Sequence, residues 1–337
     1  MTASKEYHEM LRKKQAKLLE LSTYLENGTY VFDTDFRMAF KTTRPNHPMI
    51  NTLNMPKKEK QFITEIKHSE TKYFNGSILW FCINGDIKIF SDDKVLTICS
   101  DKESYQRKIE NYAYFSPFFR IPTLSKQDTK HNMLVEEFIN FDEKTADDEP
   151  FIFKRMYNNY RDYFTYLTRL TKIGYQTLNQ LWEISSHTVY SPQFEKITKK
   201  IAPELFSMKF PFINLHGDMW SDNILLSHEQ NGKTLWYIDW ETADNYVFFY
   251  DFFKFIWNEL DVHQDASFYK KYIAGEFDNK LRHLFSIFDI NFQPKLKQSY
   301  FCYFFLNAII NDTGRIAFKF KQEEIENFER KVFPLMT

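Results

Sequence analysis

A polar run between two apolar segments constrains this chain more than any other feature of its sequence. The run reads HGDMWSDN at residues 216–223 and follows the apolar stretch 212–215. An aspartate at the tip of such a loop can accept the proton of an attacking hydroxyl group. An asparagine five residues later returns to the same side of the turn, where its carbonyl oxygen suits a small hard cation. The spacing therefore predicts that Asp218 is a general base and Asn223 is a metal ligand.

The second element of the motif is Asp239, 16 residues after Asn223. Asp239 ends the apolar, strand-like stretch 235–238, and the Asn231-Gly232 pair predicts a hairpin between the two segments. One hairpin would bring the oxygens of Asn223 and Asp239 to one cation. Either element alone is an ordinary turn or a strand-end aspartate. Together, in this order, they favour phosphoryl transfer, which depends mostly on positioning and charge neutralisation.

The segment from His216 to Asp251 resembles the aminoglycoside phosphotransferase/choline kinase family. Three patterns carry the resemblance: H-G-D-x-x-x-x-N-I-L from residue 216, I-D-W-E at 238–241, and a Tyr-Asp pair at 250–251. The motifs cover this segment alone, and a looser pattern of strands and helices extends the resemblance over about residues 61–310.

The resemblance implies a role for each matching residue. His216 would be a structural residue of the catalytic loop, and Asp218 would be the catalytic base. Asn223 and Asp239 would bind Mg²⁺, with ATP as the phosphoryl donor. Asp251 would steady the catalytic loop from the start of a helix.

Two features separate the chain from protein kinases. Gly217 stands where their catalytic loop carries an arginine that pairs with a phosphorylated activation segment. The stretch between Asp239 and Asp251 is short and lacks an A-P-E element. The acceptor predicted from this is a small hydroxyl-bearing molecule such as an amino alcohol, an aminosugar or a sugar-like metabolite.

The middle of the chain has the pattern of a kinase-like small lobe. The turn pair Asn84-Gly85 separates two strand-like stretches, and Ser100 or Asp101 can cap a helix that runs to about Phe115. The predicted strands, in chain order, are 77–84, 86–90, 94–99 and, after the helix, 132–138.

The predicted fold is α+β: a two-lobed protein kinase-like fold with a small β-rich lobe, a large helical lobe and an N-terminal helical extension. The expected divisions are 1–60, 61–138 and 139–337. In the first, a helix over 4–26 precedes a loop-rich part. In the last, residues 147–207 are largely helical, and further helices are expected at about 247–261, 265–287, 294–312 and 321–334.

Phosphate binding by the small lobe departs from the family pattern. A nucleotide kinase of this fold needs a lysine on the third strand, paired with a helix glutamate, but Thr97 occupies that position. Lys88 on the second strand is the nearest alternative and Lys102 is another, with Glu110 or Glu103 as the helix partner. Each lysine alone is more typical of a solvated strand face.

The strand at 133–139 would end in the hinge that binds adenine through its backbone. Glu137 and Phe138 are the predicted nucleotide-binding residues there, although an ordinary strand would show the same pattern.

Alternation along the second strand places Lys88 on the face opposite Ile87 and Ile89.

Composition limits the other classes of function. Net charge is −1 and the pI is about 6.8, so no nucleic-acid partner and no anionic membrane are expected. No run of about 18 apolar residues predicts a membrane span, and the N-terminus has no secretory pattern. Three scattered cysteines favour reduced thiols and a cytoplasmic protein. The oligomeric state is not predicted.

The leading hypothesis is an ATP-dependent small-molecule kinase, and the alternative is a catalytically impaired, kinase-like nucleotide- or metabolite-binding protein. Thr97 favours the alternative. The acceptor stays open: Trp220 in the loop resembles ketosamine kinases, whereas Trp240, Trp257 and Tyr246 could line a site for a choline-like cation. Most of the 36 phenylalanines are expected to fill the core.

Overall fold

The computed structural model describes residues 2–33, 37–43, 49, 63–68, 73–170, 172–180, 191–229, 232–312 and 322–336. The chain forms two compact units. The first comprises Met1–Glu110, Ile121–Glu143 and Leu226–Thr234, and the second comprises Asn111–Arg120, Lys144–Leu225 and Leu235–Thr337. The first is rich in strands and the second is mainly helical, which confirms the α+β class.

An antiparallel sheet forms the body of the first unit. In the described residues its strands are β1 (Gly28–Phe32), β2 (Met38–Lys41), β3 (Ile63–Ile66), β4 (Ile78–Phe81), β5 (Ile87–Phe90), β6 (Lys94–Ile98), β7 (Leu124–Asp128) and β8 (Met133–Glu137). Their order is β3-β1-β2-β4-β5-β6-β8-β7. The meander β4-β5-β6 and the strand β8 match the predicted small lobe.

The two faces of this sheet have different neighbours. Helix α1 (Thr2–Glu20) contributes Leu11 and Leu18 to the cluster that contains Ile87 and Ile89. The opposite face has its own apolar cluster, which includes Phe90. The predicted alternation of β5 is therefore confirmed, and Lys88 belongs to the face that α1 does not cover.

Helix α2 (Lys102–Phe115) begins where the sequence predicts. The carboxylate of Asp101 accepts a hydrogen bond from the backbone N–H of Ser104 at 2.7 Å, the usual N-cap arrangement. Tyr105 and Ile109 of this helix pack against Leu134 of β8.

The expectation of a loop-rich segment after the first helix is wrong at two places. β1 and β2 lie in it and join the sheet, with Ala39 of β2 opposite Leu79 of β4. Local periodicity is weak there because the partners that make these strands are distant in sequence. Residues 44–48 and 50–62 lie outside the described residues.

The second unit combines helices with short strands. Its helices are α3 (Glu149–Leu170), α4 (Ser191–Thr198), α5 (Tyr250–Asp261), α6 (Ser267–Ala274), α7 (Asp278–Ser286), α8 (Lys297–Asp312) and α9 (Gln322–Val332). Its strands are β9 (Gly174–Gln176), β10 (Phe210–Leu215) and β13 (Asp244–Val247). The residues of β11 (Ile224–Glu229) and β12 (Gly232–Tyr237) are divided between the two units. β10 lies between β13 and β9, and β11 pairs with β12.

Aromatic packing holds this unit together, as expected from the phenylalanine content. Phe305 of α8 and Phe328 of α9 stack with ring centroids 3.7 Å apart, and Phe253 of α5 contacts Phe301 of α8 edge to face. Such pairs add to the burial of large apolar side chains. Among the described helices, none has the length and apolar character required to cross a bilayer.

Candidate active site

One buried carboxylate fixes the start of the polar loop. Asp251, in the first turn of α5, accepts hydrogen bonds from the backbone N–H groups of His216 and Gly217, each at 2.8 Å. It also accepts one from the hydroxyl of Tyr160 on α3 at 2.6 Å. Burial raises the pKa of Asp251, against the effects of nearby His216 and of these three hydrogen bonds. The geometry is the one that the family resemblance implies.

His216 links the loop to the second acidic segment. Its ring is buried. Nδ1 lies 3.3 Å from the backbone N of Asp218, and Nε2 lies 2.8 Å from the carbonyl oxygen of Ile238. Both contacts are hydrogen bonds if the neutral ring carries its proton on Nε2. His216 therefore joins the loop to the backbone at Ile238, and its role in a catalytic loop stays a prediction.

The position after His216 requires glycine. Gly217 has φ of +81°, a conformation that side-chain-bearing residues rarely adopt. A Cβ atom added there would lie 2.5 Å from the carbonyl oxygen of Thr242. Close backbone packing thus explains the glycine in this chain.

Asp218 and Asn223 are held together within the loop. The Nδ2 group of Asn223 donates to the backbone carbonyl of Asp218 at 2.7 Å and to its Oδ2 at 3.2 Å. Asn223 is buried, whereas the Asp218 side chain is 38% exposed. Since the amide N–H groups of Asn223 face Asp218, its carbonyl Oδ1 is the atom that it can offer to a cation.

Asp239 lies beside this pair along the backbone. The N–H of Ile238 donates to the carbonyl oxygen of Asn223 at 3.0 Å, which places Asp239 next to the Asn223 backbone. Asp239 itself adopts a left-handed conformation, with φ 63° and ψ 51°. A non-glycine residue in this region is strained, and such strain is enriched at functional sites.

The oxygens of Asn223 and Asp239 fit Mg²⁺. This ion is commonly held by one or two carboxylates together with water and substrate phosphates. The described residues contain no group of three or more His, Cys, Asp or Glu side chains able to hold a metal. A site built from one carboxylate, one amide oxygen and phosphate oxygens is consistent with that observation.

Helix α5 contributes further side chains that the sequence analysis missed. Lys254 Nζ lies 3.6 Å from Oδ1 of Asp218, and Asn258 Nδ2 lies 3.3 Å from the same atom. Glu259 accepts a hydrogen bond from the backbone N–H of Ser221 at 3.0 Å. For Lys254 and Asn258, the available sequence signal was their spacing from Asp251, because residues three and seven positions further along lie on the same helix face.

Lys144 supports the far end of the loop. Its ammonium donates to the carbonyl oxygen of Ser221 and, at 2.8 Å, to that of Ile224. Burial lowers the pKa of Lys144, and the charges of Asp222 and Glu259 oppose that effect. No periodic pattern in the sequence marked this residue.

Lys88, the cation predicted to bind phosphate in the first unit, lies beside Thr97, which occupies the position of the expected lysine. Lys88 of β5 pairs directly with Thr97 of β6 in the antiparallel register, so both side chains emerge on the same face. Thr97 is buried and Lys88 is half-buried. The side chain of Lys88 is therefore attached to the strand next to β6, where the lysine of the family pattern is expected.

The helix residues predicted to assist that lysine are on the exposed side of α2. Glu110 is exposed and accepts a hydrogen bond from Gln106 at 2.9 Å. Lys102 and Glu103 are also exposed. The buried charge of α2 is a cation, Lys108, which pairs with Asp86 at 3.3 Å.

The predicted hinge residues have their backbone N–H groups engaged. Glu137 N–H donates to the carbonyl oxygen of Thr123 at 3.0 Å, and Phe138 N–H donates to that of Asp93 at 2.9 Å. Phe138 is half-buried and lies edge-on to Phe90.

The rings suggested for a choline-like site are packed inside the second unit. Trp240 stacks on Phe115 at 4.2 Å, and Tyr246 stacks on Tyr250 at 4.1 Å. Trp257 packs against the Phe305 ring. All three suggested residues are buried. A cage needs open ring faces, so this hypothesis is wrong for them. Trp220 is half-buried, with its ring 5.5 Å from that of His263.

One protein family is similar to part of this chain. The model of the phosphotransferase enzyme family matches residues 147–285, a range that contains the catalytic loop, Asp239 and Asp251. These residues, less than half of the chain, are similar to the phosphotransferase enzyme family. This confirms the resemblance seen in the segment from His216 to Asp251. No curated protein matches the sequence.

Several solved structures of phosphotransferases are similar to this one. A choline/ethanolamine kinase family protein from Mesorhizobium loti is 12% identical, with a TM-score of 0.40 over 87% of this chain and 92% of that one. Choline kinase LicA from Streptococcus pneumoniae is 11% identical, with a TM-score of 0.40 over 74% and 89%. Amicoumacin kinase hAmiN, in complex with AMP-PNP, Ca²⁺ and Ami, is 10% identical, with a TM-score of 0.43 over 98% and 100%.

Proposed function

We propose that this phosphotransferase uses ATP and Mg²⁺ to phosphorylate a hydroxyl group of a small molecule. The observation that carries the proposal is the Asp218 carboxylate, partly exposed and hydrogen-bonded to Asn223 in a loop that Asp251 fixes. In the reaction, the acceptor oxygen bonds to the γ-phosphorus, the bond to the ADP oxygen breaks, and Asp218 takes the hydroxyl proton. Mg²⁺, held by Asn223 and Asp239, would neutralise phosphate charge.

The segment after Asp239 favours a small acceptor. Residues Trp240–Thr242 form a 3₁₀ turn, and β13 then pairs with β10, with Val247 opposite Phe212. Helix α5 begins at Tyr250. Most of this stretch is occupied by the 3₁₀ turn, β13 and the start of α5, so it contains no long segment for docking a peptide. An amino alcohol, an aminosugar or a sugar-like metabolite remains the proposed acceptor.

A screen for ADP release tests the proposal. Purified protein is mixed with Mg·ATP and, one at a time, with amino alcohols, aminosugars and sugars, and ADP is measured by a coupled assay. Water serves as the acceptor in the blank. Acceptor-dependent ADP formation, together with a phosphorylated product identified by mass spectrometry, is expected. ADP formation that is absent with every acceptor and with water would contradict the proposed function.

The metal site gives a second prediction. Asp239→Ala is expected to weaken Mg·ATP binding more than Asn223→Ala, because a carboxylate is the stronger ligand for Mg²⁺. Isothermal titration of both variants with Mg·ATP, and with ATP in excess chelator, isolates the metal-dependent part. Equal Mg·ATP affinity in the wild type and Asp239→Ala would refute the metal role.

For nucleotide binding in the first unit, Lys88 remains the proposed cation, with Glu110, Glu137 and Phe138 as further proposed contacts. Lys88→Ala is expected to raise the KM for ATP about 10- to 100-fold, since a charged hydrogen bond contributes about 1.5–3 kcal/mol. Lys94→Ala is the matched control, because Lys94 is on the neighbouring strand with its side chain 50% exposed. An unchanged KM in Lys88→Ala would exclude this residue.

The buried Thr97 supports a second candidate, a binding protein of the same fold with impaired transfer. Such a protein would be stabilised by Mg·ATP, because any ligand of the native state raises the melting temperature, but it would form no ADP. Stabilisation together with turnover would rule out the impaired form.

A further inference from the structure

We propose that Lys254 is a catalytic residue whose ammonium group contacts the phosphoryl group during transfer. This inference rests on the proposed function and adds to it a cation that the sequence motif does not contain. The catalytic loop, residues 216–223, includes no lysine or arginine. A basic side chain beside Asp218 must therefore come from another element, and α5 carries Lys254.

The position of the ammonium relative to Asp218 is the first support. Lys254 Nζ lies 3.6 Å from Oδ1 of Asp218. A hydroxyl that Asp218 deprotonates must lie about 2.6–3.2 Å from the carboxylate, and the phosphorus must lie about 3–3.5 Å from that hydroxyl. An ammonium group this close to the base is therefore within reach of the oxygens of the transferred group.

The nature of the contact is the second support. A separation of 3.6 Å is longer than a hydrogen bond, and Oδ1 of Asp218 lies 3.3 Å from the amide of Asn258. The contact with Lys254 is thus an ion pair. An ammonium group has three N–H donors, so an arriving phosphoryl oxygen can accept a hydrogen bond from it.

The third support is the rigidity of the lysine. Its side chain is only 18% exposed, and it lies on a helix that already holds the loop through Asp251 and Asn258. Little conformational freedom remains to be lost when the substrate binds. Preorganised charges of this kind are the ones that stabilise transition states.

The chemistry gives the charge a specific function. As the γ-phosphoryl group moves from ADP to the acceptor, negative charge is spread over its three non-bridging oxygens. The acceptor oxygen gains a bond to phosphorus, the ADP oxygen takes the electrons of the broken bond, and Asp218 receives the acceptor proton. Lys254 stabilises the charge on the moving group and exchanges no proton.

The test uses reactions that need no knowledge of the acceptor. Lys254→Met is expected to lower kcat for Mg·ATP hydrolysis about 10²-fold, with the KM for ATP changed by less than about threefold. Affinity for Mg·ADP should be unchanged, since ADP lacks the transferred group. Affinity for Mg·ADP with aluminium fluoride, which mimics that group, should fall at least tenfold.

Lys331→Met is the matched control. Lys331 of α9 has a side-chain exposure of 17% and forms an ion pair with Asp261 at 2.8 Å. Asp261 is at the C-terminal end of α5, away from Asp251. The replacement of Lys331 should leave all four measurements unchanged. Lys254→Arg should recover part of the aluminium fluoride effect, because the charge is retained.

A merely structural role for Lys254, as a partner that positions Asp218, gives a different result. In that case adding Lys254→Met to Asp218→Asn would cause no further loss of hydrolysis, and aluminium fluoride would bind as in the wild type. Either outcome overturns the inference. If the wild type forms no ADP but binds ADP with aluminium fluoride, the proposed function fails and the binding comparison still decides the role of Lys254. If the wild type binds neither, both fail.

Discussion

Asp218→Asn is expected to abolish most phosphoryl transfer while the protein stays folded and binds Mg·ATP. The variant keeps the size of the side chain but cannot accept the acceptor proton. Loss of a general base commonly costs about 10²–10⁴-fold in rate. The effect on folding should be small because the Asp218 side chain is 38% exposed. The measurements are kcat with the acceptor found by screening, the melting temperature and the Mg·ATP affinity.

Asp222→Asn is the control for this experiment. Asp222 is in the same loop, its side chain is 55% exposed, and it lies 3.4 Å from His263. Its variant should keep turnover within a few-fold of the wild type. If Asp218→Asn also stays within a few-fold, Asp218 is not the base.

Asp251→Asn is expected to have the largest effect on stability. The carboxylate accepts from two backbone N–H groups and the hydroxyl of Tyr160. An amide has only one oxygen, so at least one buried backbone N–H would face another donor. An unsatisfied buried donor costs about 1–3 kcal/mol, and activity should fall as well because the loop loses an anchor. Urea unfolding and kcat are the measurements.

Tyr160→Phe is the graded comparison. It removes one donor and leaves both backbone hydrogen bonds of Asp251 in place, so the unfolding free energy should fall by only about 0.5–1.5 kcal/mol. A melting temperature of Asp251→Asn equal to that of the wild type would contradict the anchoring role of this carboxylate.

The stability of Asp251→Asn relative to the wild type should change with pH in a definite direction. Burial raises the pKa of Asp251 above 3.8. The folded state then binds the proton more tightly than the unfolded state, so this group stabilises the fold at low pH and loses that contribution as pH rises through the raised pKa. The stability deficit of Asp251→Asn relative to the wild type should therefore grow as pH is lowered toward 3.8. A deficit that shrinks over this range would show that the pKa is lowered instead.

The residues that the sequence identified in the site are those with a fixed local spacing. Asp218 and Asn223 come from one loop, and Asp239 comes one hairpin later, so chain order alone was enough to associate them. Lys254, Asn258 and Lys144 were missed, because their contacts depend on how a helix or a distant segment packs against the loop. A lysine on an amphipathic helix is usually solvated, and the spacing from Asp251 was the local signal for Lys254 and Asn258 alone.

The elements of the fold that could be predicted are likewise those with local sequence signals. The β4-β5-β6 meander, the capped helix α2 and most helices of the second unit follow from turn pairs, caps and periodicity. β1, β2 and β7 were not predicted, since short strands obtain much of their stability from partners far away in sequence. The cage suggested for Trp240 failed for a related reason: an aromatic side chain looks the same in sequence whether it is packed or open.

The contacts from α5 to the catalytic loop have a consequence for how this chain can vary. Asp251, Lys254 and Asn258 all contact the loop because they lie on one face of an α-helix, whose geometry fixes the rotation between residues. One residue inserted after Asp251 would rotate everything behind it by about 100° and turn both later side chains away from Asp218. The rotational register of this helix, more than the identity of its exposed residues, must therefore be preserved for Lys254 and Asn258 to stay beside Asp218.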